Sequence, residues 1–216
     1  MTSPSMRKGA VRRRATTLLL GLAATLLAIL CATPTPAGAA DLSEFDPGNI
    51  ITDQVFFDEG SMSAATIQAF LDVKGSNCSR GADGSPCLKN FRGDTATRVA
   101  TTFCPGAYQG AAQETAAMII YKVAQACHIN PQVLLVTLQK EVGFVRSVNP
   151  TAKMYQRAMG YGCPDNSTGV CDSAYYGLYN QLYSAASQFQ RYVTNPTRYA
   201  YRAGIVNYIL YHPYNN

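Results

Sequence analysis

The sequence predicts a mainly α, compact fold with disulfide-held loops. Apolar residues recur at three- and four-residue intervals in separate stretches between Ser63 and Val193, the spacing of a helix face. Six cysteines, Cys78, Cys87, Cys104, Cys127, Cys163 and Cys171, follow a leader of export type, and an even set in an exported chain reads as three disulfides. Charged residues make up 14% of the chain and apolar residues 47%, a balance that excludes disorder.

Residues 1–40 form the leader. A basic stretch runs from Arg7 to Arg14, an apolar run from Leu18 to Leu30, and a small-residue stretch from Ala32 to Ala40. Within the last, Ala37-Gly38-Ala39 fits the small-x-small cleavage rule, so a secretory signal peptide cut after Ala39 or Ala40 is expected. A retained membrane anchor is the weaker alternative, because the apolar run is about 13 residues against the roughly 20 that a span requires. Bulky Leu30 argues against lipid attachment at Cys31. The formal charge of +5 comes from this leader: Arg7, Lys8, Arg12, Arg13 and Arg14 are five of the 18 Lys+Arg, and the remaining 13 balance 13 Asp+Glu. A neutral domain without a basic run excludes nucleic acid as the main partner. No later segment is apolar enough to span a membrane.

Residues 41–105 read as an N-terminal segment. Asp41–Gly60 is an extended or looped lead-in with a turn at Pro47-Gly48. Ser63 can cap a short helix that runs to Lys74, with Ile67, Phe70 and Leu71 on one face and Gly75 past its end. Gly75–Gly93 is a loop rich in Gly, Ser, Asp and Asn that needs a staple.

Residues 106–216 read as a helical core. Helix formers run from Ala111 to Ala126, and His128-Ile129-Asn130 breaks them. Asn130 is then an N-cap with Pro131 at the first helical position, and the helix runs to Glu141 before Gly143 ends it. Asn149-Pro150 repeats the start signal, so a short helix is expected over Thr151–Met159. Gly160–Asp165 is turn-rich, and Cys163 and Cys171 could close the stretch that follows into a small lobe. The longest helical pattern is Ser173–Val193, carried by Tyr176, Tyr179, Leu182, Tyr183, Ala186, Phe189 and Val193. Six cysteines allow 15 pairings. Short-range closure favours Cys78–Cys87, Cys104–Cys127 and Cys163–Cys171. Zinc would need CxxC spacing or clustered histidines, so no metal or other cofactor is expected.

At 100° per residue, Leu134, Thr137 and Leu138 share a helix face with Glu141, which places this carboxyl on the apolar face at the C-terminal end. Desolvation and the electronegative helix end both raise its pKa, as a general acid requires. A swung-out Glu141 paired with Lys140 or Arg146 is the plainer alternative. The chain has 14 tyrosines and no tryptophan. Flat amphipathic rings suit stacking on pyranose faces, and Tyr155, Tyr161, Tyr175 and Tyr176 are the candidates. Tyr179, Tyr183 and Tyr192 follow helix spacing and read as packing residues. There is no Gly-x-Ser-x-Gly elbow and no HExxH, and paired cysteines leave no thiol for a Cys/His peptidase.

Leu138-Gln139-Lys140-Glu141-Val142-Gly143-Phe144, followed by Asn149-Pro150, Gln156 and Ala158-Met159-Gly160-Tyr161-Gly162, resembles the soluble lytic transglycosylase and goose-type lysozyme pattern. That resemblance implies a lysozyme-like fold, a catalytic Glu141, and a cleft wall built by the glycine turn. It also implies substrate contacts from Gln156 and Asn180 beside the tyrosines. Val142 stands where those enzymes carry Ser, and Gly160-Tyr161-Gly162-Cys163 replaces their Gly-Leu-Met-Gln turn. From Phe45 to Pro213 the chain is also similar to hemagglutinin-like secreted wall proteins of actinobacteria. Asp165 and Asp172 are candidates for the second carboxylate that glycosidases usually carry, though Asp165 also reads as a turn residue and Asp172 as an N-cap. The function implied is cleavage of peptidoglycan glycan by a secreted, wall-associated monomer that contacts no membrane once its leader is removed. A non-catalytic wall-binding or adhesion module is the alternative.

Overall fold

Five of the six described α-helices begin where a short polar side chain takes up backbone N–H groups that the first turn leaves free. The computed structural model describes Ser43, Asp46 and residues 48–164 and 170–209. The chain divides into two units, residues 1–50 and 51–216. In the first, Asp46 Oδ1 accepts from Gly48 N–H at 2.8 Å, an Asx turn. The predicted leader and Asp165 lie outside the described residues.

The second unit is mainly helical, with little strand. Helix α1 is Asp53–Phe56, in a stretch expected to be irregular, capped by Thr52. Helix α2 is Ala64–Lys74, capped by Ser63 Oγ on Thr66 N–H at 3.1 Å and stopped at Gly75, as the sequence predicts. Strand β1, Arg92–Gly93, pairs antiparallel with β2, Glu114–Thr115. This pairing corrects the start of the next helix. Gln113 takes a left-handed φ of 53° and its N–H donates to Asp94 Oδ1 at 2.9 Å, so α3 begins at Ala116 under a Thr115 cap and runs to Cys127.

Helix α4 is Pro131–Val142. Its cap, Asn130, is buried with its polar groups satisfied: Oδ1 accepts from Gln132 N–H (2.8 Å) and Ser61 Oγ (2.6 Å), and Nδ2 donates to the Val55 carbonyl (2.8 Å). Helix α5 is Ala152–Gln156, shorter than expected and capped by Thr151. Helix α6 is Leu178–Thr194; Gly177, at φ 97°, ends the predicted continuous pattern, and Ser173–Tyr175 before it is a separate 3-10 turn.

Helix α3 is the centre. It buries Ile119, Ile120, Val123, Ala124 and Ala126, and α2, α4 and α6 pack around it. Ile67 and Leu71 of α2, Leu134 and Leu138 of α4, and Leu178 and Leu182 of α6 complete one continuous core. Disulfide Cys104–Cys127 ties a loop to the end of α3, and Cys78–Cys87 and Cys163–Cys171 each close a loop of their own. These are the short-range pairings.

Candidate functional site

The helix that carries Glu141 buries Leu134 and Leu138, and its last turn closes on Gly143, whose left-handed φ of 67° lets its N–H return to the Gln139 carbonyl at 2.9 Å. Glu141 does not have the desolvated setting expected of it on the apolar face: its side chain keeps 32% of its surface, and Oε1 accepts from Lys140 Nζ at 2.9 Å, the pairing of the plainer alternative. The other oxygen faces the glycine turn. A Cβ built on Gly160 would lie 3.1 Å from Glu141 Oε2.

That turn is fixed by a side chain the sequence reading passed over. Gln181 of α6 is fully buried. Its Oε1 accepts from Met159 N–H and Tyr161 N–H, both at 3.1 Å. Its Nε2 donates to the Tyr161 carbonyl (2.8 Å) and the Tyr175 carbonyl (2.9 Å). All four hydrogen-bonding positions of the amide are used. The available signal was a polar residue on the apolar stripe Leu178–Gln181–Leu182–Ala185, where a buried amide must find partners.

Gly160 and Gly162 both sit at φ 69°, a conformation that strains any residue with a Cβ. At Gly162 a Cβ would also stand 2.6 Å from Tyr175 Cδ2, so the bare backbone is what lets the Tyr175 ring close on the turn. Tyr161 and Tyr175 then meet edge to face, with centroids 4.8 Å apart. Beside them is an open groove of about 520 Å³ lined by Gly160, Gly162, Cys163, Pro164, Val170, Cys171 and Asp172.

The structure thus sets Glu141 against Gly160 of the glycine turn, and Tyr161 of the same turn against Tyr175. It sends other candidates elsewhere. Tyr155 is buried, not at a groove: its ring stacks on Phe91 and meets Phe144 edge-on, and its hydroxyl donates to the Pro86 carbonyl at 2.8 Å. Burial raises that phenol's pKa. Gln156 is exposed at the end of α5. Tyr176 is half-buried and donates to the Cys171 carbonyl at 3.3 Å. Asn180 is held between Arg98 (2.9 Å to Oδ1) and the Tyr176 carbonyl (2.9 Å from Nδ2). Asp172 borders the groove and caps its 3-10 turn through Ala174 N–H at 2.9 Å. Among the described residues, no group of three or more His, Cys, Asp or Glu could hold a metal ion, and no helix is long and apolar enough to cross a membrane.

A second carboxyl escaped the sequence reading. Glu114 is buried and accepts from Thr95 Oγ1 and from Tyr108 Oη (2.6 Å), and Lys122 pairs with its other oxygen. Burial pushes its pKa up, and the bonds from Lys122, Thr95 and Tyr108 together outweigh burial and hold it below the ordinary value. Every partner is internal, so Glu114 ties the residue 95–114 loop to α3.

The model of the family described as LasA, N-terminal domain, matches residues 49–205. The chain belongs to that family, which fits a secreted, peptidoglycan-related protein. No curated protein and no solved structure matches it.

Proposed function

We propose that this member of the LasA N-terminal domain family is a secreted protein with a lysozyme-like fold that cleaves the glycan strand of peptidoglycan, with Glu141 as general acid. One observation carries the reading: the Glu141 carboxyl lies at a helix end against Gly160, in the turn that presents the Tyr161–Tyr175 pair. A sugar stacked on that pair would bring its glycosidic oxygen to the open Oε2 side. The proton passes from Glu141 to that oxygen as the bond to C1 breaks, and the leaving sugar departs as an alcohol. Either water or the substrate's own hydroxyl then closes on C1, giving a reducing end or an anhydro sugar. Asp165 and Asp172 are the candidates to hold the water, and kinship with hemagglutinin-like wall proteins belongs to the same proposal.

A second reading has its own support. Lys140 already occupies Oε1, as it would in a wall-binding module without turnover. Mass spectrometry of purified peptidoglycan incubated with the protein separates the two: anhydro or new reducing ends support cleavage, and intact glycan with bound protein supports the binding module.

A further inference from the structure

Helices α2 and α4 start together and finish together. At the start, Ser61 Oγ donates to Asn130 Oδ1 at 2.6 Å. At the finish, a Cβ built on Gly75 would lie 3.7 Å from the Val145 carbonyl oxygen, in the 3-10 turn Phe144–Arg146 that follows α4. Between the two helices is an open trough of about 440 Å³. Phe70 of α2, Leu135 and Val136 of α4, and Val145 give it an apolar lining. Leu135 and Val145 are buried, whereas Val136 keeps 66% of its surface, so the lining is accessible from outside.

The trough has a polarity. Uncharged Met62 and Gln132 border it where the helices start, and Lys74 and Arg146 border it where they finish. Lys74 Nζ sits 5.7 Å from the Phe70 ring centroid, which keeps the ammonium beside the apolar lining. Arg146 N–H donates to Gln139 Oε1 at 3.1 Å and so ties its turn to the last turn of α4. No Asp or Glu borders the trough. Among the described residues, neither cation has an ion-pair partner. Asp72, two residues before Lys74, falls on the other side of α2, where it accepts from Gln68 Nε2 at 2.9 Å. The electronegative end of α2 accounts for one cation, Lys74. Arg146, beyond the Gly143 cap of α4, is a second at the same end of the trough.

We propose that this trough binds a fatty acid, with its acyl chain along Phe70, Leu135, Val136 and Val145 and its carboxylate between Lys74 and Arg146. The apolar lining removes the chain from water. The guanidinium and the ammonium donate charge-assisted hydrogen bonds to the carboxylate. The volume lies within the range of small-ligand sites, about 300–1,000 Å³. Cations at one end alone match a ligand with one anionic end, whereas an acidic helix from a partner would meet bare apolar lining along most of its length. Val136 and Gln139 lie on the face of α4 opposite Leu134, Leu138 and Glu141, so the site is separate from the glycine turn and independent of the glycan reading.

Calorimetry with dodecanoate below its micelle concentration tests this, with octanoate and dodecyltrimethylammonium as comparisons. Dodecanoate should saturate a single site. Octanoate should bind more weakly, by about two- to fourfold for each methylene removed. Dodecyltrimethylammonium has the same chain and the opposite charge, and should bind at least about tenfold more weakly, the effect of one charge-assisted contact. Arg146→Glu should remove that preference for the anion. Val136→Glu puts a carboxylate on the lining and should abolish binding of dodecanoate. Both positions are exposed, so neither variant removes a packed group, and melting temperatures check the fold. No saturable binding of dodecanoate, or equal affinity for the two head groups, overturns the proposal. Binding unchanged in folded Val136→Glu also overturns it, because the ligand then sits elsewhere. A dimer in sedimentation that Val136→Glu dissociates, with no binding of dodecanoate to either form, makes the trough an interface between copies and overturns the fatty-acid assignment.

Discussion

Replacing Gln181 by Met keeps the volume of a fully buried side chain and deletes its amide. Four hydrogen bonds disappear together, at Met159 N–H, Tyr161 N–H, the Tyr161 carbonyl and the Tyr175 carbonyl. At about 1 kcal/mol net for each bond, the loss is about 4 kcal/mol. Two opposing effects act on that figure. Met159 is buried, so its N–H finds no water and incurs the desolvation cost. Tyr161 and Tyr175 are half-buried, so water can satisfy part of what they lose. A loss of about 3–4 kcal/mol in a urea titration at unchanged slope is expected. The groove should suffer beyond this, because the same amide sets the Tyr161–Tyr175 contact. In the folded variant, glycan binding at the groove should fall even where the α3–α4 core is intact. A loss below about 1 kcal/mol, with groove binding retained, would refute the argument that Gln181 builds the cleft wall.

Other outcomes follow from the same structure. Gly160→Ala meets both a left-handed φ and Glu141 Oε2, so it should cost about 1–2 kcal/mol and lower glycan turnover; denaturant melts and product assays check it. Thiol labelling of the denatured, unreduced secreted protein should find no reactive cysteine, and opening Cys78–Cys87 should cost about 2–3 kcal/mol for so short a loop. Glu114 has a folded pKa held below its unfolded value, so its contribution is present above the unfolded value of about 4.5 and is lost as pH falls through the folded one. Glu114→Gln should therefore flatten the acid limb of stability against pH, and a variant that keeps the full acid limb would contradict this.

What the sequence disclosed was local. Ser63, Asn130-Pro131 and Gly143 announce helix ends because each acts on backbone within four residues of itself. The start of α3 was misread because Glu114 and Thr115 are claimed by a strand more than twenty residues earlier, which no local pattern reports. Helical spacing put Glu141 in line with Leu134 and Leu138. Its exposure depended on where Gly143 sends the chain and on what then covers the last turn. Tyr155 shows the limit of composition: a tyrosine on the short helix beside the glycine turn looked like a sugar platform, yet its ring fills the space between Phe91 and Phe144. Gln181 was legible in principle as an amide on an apolar stripe. The Glu114–Lys122–Thr95 cluster was not, since its members are brought together only by the loop that spans residues 95–114.

Glu141→Gln tests the central claim most directly. The substitution keeps the side chain's shape against Gly160 and removes the proton donor. With purified peptidoglycan, release of muropeptides should fall by at least about a hundredfold, the lower range for loss of a general acid, while the melting temperature and sedimentation with insoluble wall remain those of the unsubstituted protein. Unchanged release by Glu141→Gln would contradict the account, because the carboxyl against the glycine turn would then play no part in the cleavage.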